Sequence, residues 1–181
     1  MLTHRKRRLR STPRTHRTFG VALGIGALIL TAGCATEVTG LAGVSVDKRG
    51  NPIAVAIACT GRFDTATLED VSNLDAISTE KKWSFTAAKA MRWNIVESPT
   101  ATHPEPDGTL VLNPKVRYNL TAFSKDQQTR SRDVTFMVAD LARLRPGQVG
   151  YLKENQSEGT AEYVVVDATE FESRVCKETT G

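Results

Sequence analysis

From Gly43 onward, large and small or polar side chains alternate with period two over most of the chain, the signature of half-buried strands. In "IAVAIAC" the bulkier Ile53, Val55, Ile57 and Cys59 share one face and Ala54, Ala56 and Ala58 the other, which predicts a strand with a bulky inward face and a thin second face. "GVSVDKRGNP" reads as a strand running into a turn at Asp47–Pro52, so the two strands should form a hairpin. "MRWNIV", "VRYNLTAF", "VTFMV" and "EYVVVD" alternate in the same way, and "KKWSF" reads as a short edge strand. Helical signals are weaker: "LEDVSNLDAI" and "ADLARL" each suit a turn or two, and "ATEFESRVC" fits either period. Turn clusters such as "SKDQQTRSRD", "RPGQ" and "ENQSEG" divide these runs at intervals typical of antiparallel domains. The pattern predicts an all-β domain with minor short helices, most simply an antiparallel β-sandwich.

The first 33 residues do not share this pattern. Arg5, Lys6, Arg7, Arg8, Arg10, Arg14 and Arg17 precede an uncharged stretch from Thr18 to Thr36. A basic region followed by a short, glycine-interrupted apolar run is an export signal, and the run is shorter than the roughly 20 residues a spanning helix needs. At its end stands "LTAGC", with small Ala32 and Gly33 before Cys34. The segment resembles the lipobox of bacterial lipoproteins, in which the cysteine is acylated and the preceding peptide is removed. The resemblance implies a signal peptide at 1–33, a short lipidated tether at 34–40 and a single domain at 41–181. It also places the domain on the extracytoplasmic face of the cell membrane, held by lipid at Cys34. The alternative is a cleaved secretory signal or short anchor with an incidental cysteine.

Removing the signal reverses the charge. All seven of its charged residues are basic, so 24 basic and 20 acidic side chains become 17 and 20, near −3. The high isoelectric point belongs to the leader, and a nucleic-acid partner is excluded as a reading of it. With Cys34 acylated, Cys59 and Cys176 remain as an even pair in an oxidising compartment, either bridged or as two buried thiols.

"VTFMVADLARLRPGQVGYL" (Val134–Leu152) resembles the strand end, Leu-x-Pro-Gly turn and following tyrosine of immunoglobulin-like and fibronectin type III sandwiches, carried by Leu144, Pro146, Gly147 and Tyr151. The resemblance implies an immunoglobulin-like sandwich. The tyrosine sits one residue later than in that pattern, and Cys176 lies beyond the strand that carries the second cysteine there.

Candidate chemistry is sparse. His103 is the single histidine after the signal, in the loop "TATHPEPDG", with Glu105 and Asp107 spaced around prolines as conceivable metal or binding groups. The more ordinary reading is a solvated loop. "STEK" (Ser78–Lys81) matches a penicillin-recognising Ser-x-x-Lys pattern without its partner motifs, and Asn119–Thr121 spells a sequon that reads as outward polar strand residues. Trp93 reads as core, while Trp83, beside Lys81 and Lys82, reads equally as core or as part of a recognition patch. No cofactor and no catalytic set is indicated. The expected role is non-catalytic, presenting the domain to another envelope protein or a cell-wall component. An envelope enzyme or accessory subunit using the His103 loop is the second reading.

Overall fold

A computed structural model describes residues 36–96, 110–155 and 158–179. The elements in chain order are β1 (Glu37–Val46), β2 (Pro52–Ala58), β3 (Phe63–Asp70), β4 (Ser78–Ala88), β5 (Ala90–Asn94), β6 (Tyr118–Phe123), β7 (Thr129–Arg132), β8 (Val134–Phe136), α1 (Val138–Leu141), β9 (Gln148–Asn155), β10 (Thr160–Asp167) and α2 (Ala168–Thr179). The domain is all-β with two short helices, as the alternation predicts. Strand β1 begins at Glu37, so the sheet takes in residues 37–40 of the segment expected as a tether.

All ten strands join one sheet. Hydrogen bonding passes from β5 through β2, β1, β7, β6 and β3 to β4, and the two end strands are consecutive in the chain with only Lys89 between them. The sheet therefore curls back on itself into a near-barrel. At the seam aromatic packing takes the place of a ladder: Trp83 of β4 meets Trp93 of β5 edge-on, with ring centroids 5.8 Å apart, and Phe85 lies 4.9 Å from Trp93. Strands β7 and β8 are one strand broken at Asp133, and both pair with β6. Strand β1 divides its second edge, pairing parallel with β7 through Glu37–Leu41 and antiparallel with β9 at Val44 and Ser45.

That parallel pair corrects the expectation of a purely antiparallel sheet. It arises because β1 and β7 enter from the same rim, with Glu37 beside Thr129. The single curled sheet gives no support to an immunoglobulin-like sandwich, which needs two sheets packed face to face. The Leu-x-Pro-Gly stretch does form a turn: Gln148 N–H donates to the Arg145 carbonyl at 3.0 Å, and Gly147 takes φ +91°, a conformation open to glycine. Tyr151 then enters a second core instead of a sandwich corner, its ring 5.2 Å from Phe171. "KKWSF" belongs to the longest strand, β4, and "LEDVSNLDAI" makes the end of β3 and a loop instead of a helix.

The faces of β2 are reversed from the expectation. Ala54, Ala56 and Ala58 point into the barrel, while Ile53, Val55, Ile57 and Cys59 point out of it. A barrel of so few strands has a narrow lumen, and this one also holds Phe63, Trp83, Trp93, Tyr118 and Phe136. Small residues opposite large ones are the way such a lumen is filled, and Ala42, Ala66 and Ala122 extend the same pattern. The bulky outer face is not exposed, because α2 lies over it.

Helix α2 sets Phe171 and Val175, one turn apart and fully buried, against Leu41, Val55, Val149 and Tyr151. Arg174 and Glu170 form an ion pair on its partly exposed flank. Cys176 is disulfide-bonded to Cys59 just past the end of β2, with Cα atoms 5.1 Å apart. The bridge ties the C-terminal helix to the barrel and resolves the choice between bridge and separate thiols. Tyr163 of β10 reaches over Gly150 of β9 into the main core, and a Cβ at Gly150 would collide with its phenol ring.

Candidate functional site

Strand directions define two rims. The near rim holds the start of β1, the 124–128 turn, Lys89 and the Cys59–Cys176 bridge. The far rim holds the Asp47–Asn51 turn, the 71–77 loop, residues 110–117 and α1. Strand β3 alone spans the barrel, so the rims lie about 25 Å apart.

The far rim is built from side-chain-braced turns. Asp47 Oδ1 accepts from the backbone N–H groups of Arg49 and Asn51 at 2.7 and 2.8 Å, and Oδ2 accepts from Asn51 Nδ2 at 2.9 Å. These bonds, those from Asn51 first, hold the Asp47 carboxyl below its ordinary range. Val71 N–H donates to the Arg117 carbonyl and Arg117 N–H to Ser72 Oγ, each at 2.9 Å, so the 71–77 loop and the 110–117 segment form one platform. Asn113 N–H donates to the Tyr118 hydroxyl at 2.7 Å, while burial pushes that phenol's pKa up. Leu110, Leu112 and Val116 pack down on the core. On the same two segments Leu74, Ile77 and Val111 are 79%, 53% and 81% exposed.

The residues singled out from the sequence fall as follows. Trp83 and Trp93 are 3% and 6% exposed, packed against each other in the barrel, so Trp83 supplies core and not recognition surface. Lysines flanking it marked only the strand's other face and its rim. Cys34, His103, Glu105 and Asp107 lie outside the described residues. Ser78 hydrogen-bonds Glu80 at 2.9 Å on exposed β4, an extended strand and not the helical turn a Ser-x-x-Lys nucleophile needs. Asn119 bonds Thr135 Oγ1 at 3.1 Å and Thr121 Oγ1 at 3.4 Å along β6. Among the described residues no group of three or more His, Cys, Asp or Glu side chains could hold a metal ion, and no helix is long and apolar enough to cross a membrane.

The far-rim platform escaped the sequence reading because Leu74 and Ile77 occupy apolar positions of an apparent helical repeat. Val111 alternates with two leucines, and only the fold shows which of the three faces outward. No protein-family model, no curated protein and no solved structure matches this chain.

Proposed function

We propose that the protein is a lipid-anchored envelope lipoprotein, acylated at Cys34, whose barrel presents its far rim to another envelope protein and carries out no chemistry of its own. The exposed apolar set Leu74, Ile77 and Val111, on two loops braced together, carries the reading. Large apolar side chains gathered on one braced surface mark contact sites. Only three residue steps separate Cys34 from Glu37, a reach of about 10 Å. An acyl chain there holds the near rim against the bilayer and leaves the far rim about 25 Å beyond it, facing outward.

A photoreactive residue placed at Leu74, and separately at Lys125 on the near-rim turn, tests both parts in intact cells. The expected result is a protein adduct from position 74, a phospholipid adduct from position 125, and loss of the lipid adduct in the Cys34→Ala chain. Lipid adducts from position 74, or an intact mass without acyl chains on Cys34, would overturn the proposal. Loss of the position-74 adduct on Ile77→Asp with Val111→Asp separates a specific contact from chance proximity.

A further inference from the structure

We infer that β10 is the contact strand of a homodimer in which two copies pair β10 against β10, antiparallel about Val164. Among the described residues four strands pair on one side only, β4, β5, β8 and β10, and β8 is just three residues long. Natural sheets protect such edges with charges, short length, bulges or cover. Strand β4 carries Lys81 and Lys82, and its register with β3 shifts twice. Strand β5 is five residues long with exposed Arg92 at its centre. Strand β10 carries Glu162 and Asp167 toward its ends but is neither short nor bulged. All eight of its residues stay in regular register with β9, it lacks proline, glycine and lysine, and Tyr163–Val166 form an uncharged run of strong strand formers. Val165 on that run is 41% exposed, and among the described residues nothing pairs with the outer edge.

The strand is self-complementary when paired antiparallel with its own copy. The α2-covered faces of both copies stay on the same side only if residues of the same face oppose each other. Two such registers of seven residues fit within the strand, centred on Tyr163 and on Val164; the first sets the two Tyr163 rings against each other, and the second sets Tyr163 opposite Val165, Glu162 opposite Val166 and Ala161 opposite Asp167. Tyrosine against valine is a favourable aromatic–β-branched pair, and no carboxylate faces another. Shifting by one residue toward the C-terminus sets Glu162 against Asp167 and turns the helix-covered face of one copy to the bare face of the other. Within its own hairpin Glu162 already lies across from Lys153. The inference does not depend on the far-rim contact or on acylation of Cys34.

Directly opposed Cα atoms in an antiparallel pair lie about 4.5–5.5 Å apart, within disulfide reach, so Val164→Cys places two thiols on the dyad. Mild oxidation of cells expressing the full chain should give a covalent dimer with Val164→Cys and none with Lys48→Cys in the exposed hairpin turn. Adding Val165→Lys, which brings two ammonium groups diagonally across the dyad, should lower the yield several-fold, whereas Val165→Ile should keep it. The inference is overturned if Val164→Cys gives no more dimer than Lys48→Cys, or if Val165→Lys leaves the yield unchanged. A covalent adduct of position 164 to a different protein, in place of the dimer, also overturns it and assigns the edge to a strand donated by that protein. Unchanged tryptophan emission in each variant separates a lost contact from a lost fold.

Discussion

Breaking the Cys59–Cys176 bridge should cost several kcal/mol of stability while leaving the native structure in place. The bridge closes a loop across a sequence separation of 117, almost the whole domain. In the chain-entropy account a loop of that length restricts the unfolded chain by about 5 kcal/mol, and residual unfolded structure lowers the realised figure to roughly 3–4. The native side loses little, because α2 stays docked by Phe171 and Val175, each worth on the order of 2 kcal/mol when fully buried. The perturbation is reduction of the purified protein, with Cys59→Ala plus Cys176→Ala as a control that needs no reductant. The assay is urea unfolding followed by emission of Trp83 and Trp93, both buried in the barrel and both exposed on unfolding. With a slope of about 2 kcal/mol/M, the midpoint should fall by roughly 1.5–2 M, and the slope itself should steepen as the freed chain expands. Melting should drop by about 10 °C. Coincident oxidised and reduced midpoints would refute the argument, and so would a reduced protein whose emission is already shifted without urea. The second result would mean that the bridge, and not the buried helix face, holds α2.

Further outcomes follow from the same packing. Phe171→Ala should cost about 3–5 kcal/mol in urea unfolding, because the site is sealed by β1, β9 and the bridge and cannot collapse. Ala56→Leu should cost about 1–3 kcal/mol by overfilling the lumen, whereas a solvent-facing position would accept leucine without loss, so the same melt decides which face of β2 is inside. Among the described residues the buried Tyr163 hydroxyl has no hydrogen-bond partner, so Tyr163→Phe should be neutral or stabilising at pH 7 by up to about 1 kcal/mol. Burial raises the Tyr163 pKa, with Asp140 adding to the shift and Arg143 opposing it. The unfolded phenol therefore loses its proton first, stability falls as pH rises through about 10, and Tyr163→Phe should show a shallower alkaline loss in melts between pH 9 and 11.

The sequence was readable wherever one strand faces one core. Tyr118, Leu120 and Ala122 alternate cleanly in β6, and the β1–β2 hairpin falls where "VDKRGNP" places its turn, with Val46 opposite Pro52. It misled where both faces are buried. In β2 either face could be the inside, and size suggested the isoleucine face, but a narrow lumen packed with tryptophan prefers alanine. The curl of the sheet was invisible for a related reason: β4 and β5 are separated by Lys89 alone, yet they pair with β3 and β2 on opposite sides of the seam. Adjacent strands in a chain usually pair with each other, and here the Trp83–Trp93–Phe85 contact replaces that pairing. The far-rim platform depends on loop positions that no period describes, so the exposure of Leu74 and Ile77 has no signal in the sequence.

In the proposed lipoprotein the two rims would divide the mechanical and recognition work. At the near rim β1 starts, β7 runs parallel beside it, and the disulfide brings the end of α2 to the same level. A pull on residues before Glu37 would load the β1–β2 and β1–β7 ladders in shear along their length, which engages many hydrogen bonds at once. The far rim bears no such load, and its turns are held by local side-chain bonds from Asp47, Ser72 and Asn113. Loops braced in this way can change their outward side chains without disturbing either core, since Leu110, Leu112 and Val116 anchor the platform from beneath. A domain tethered as proposed would be free to present its other end only if the two were structurally independent, and the strand length between them and the separate bracing of the far turns supply that independence.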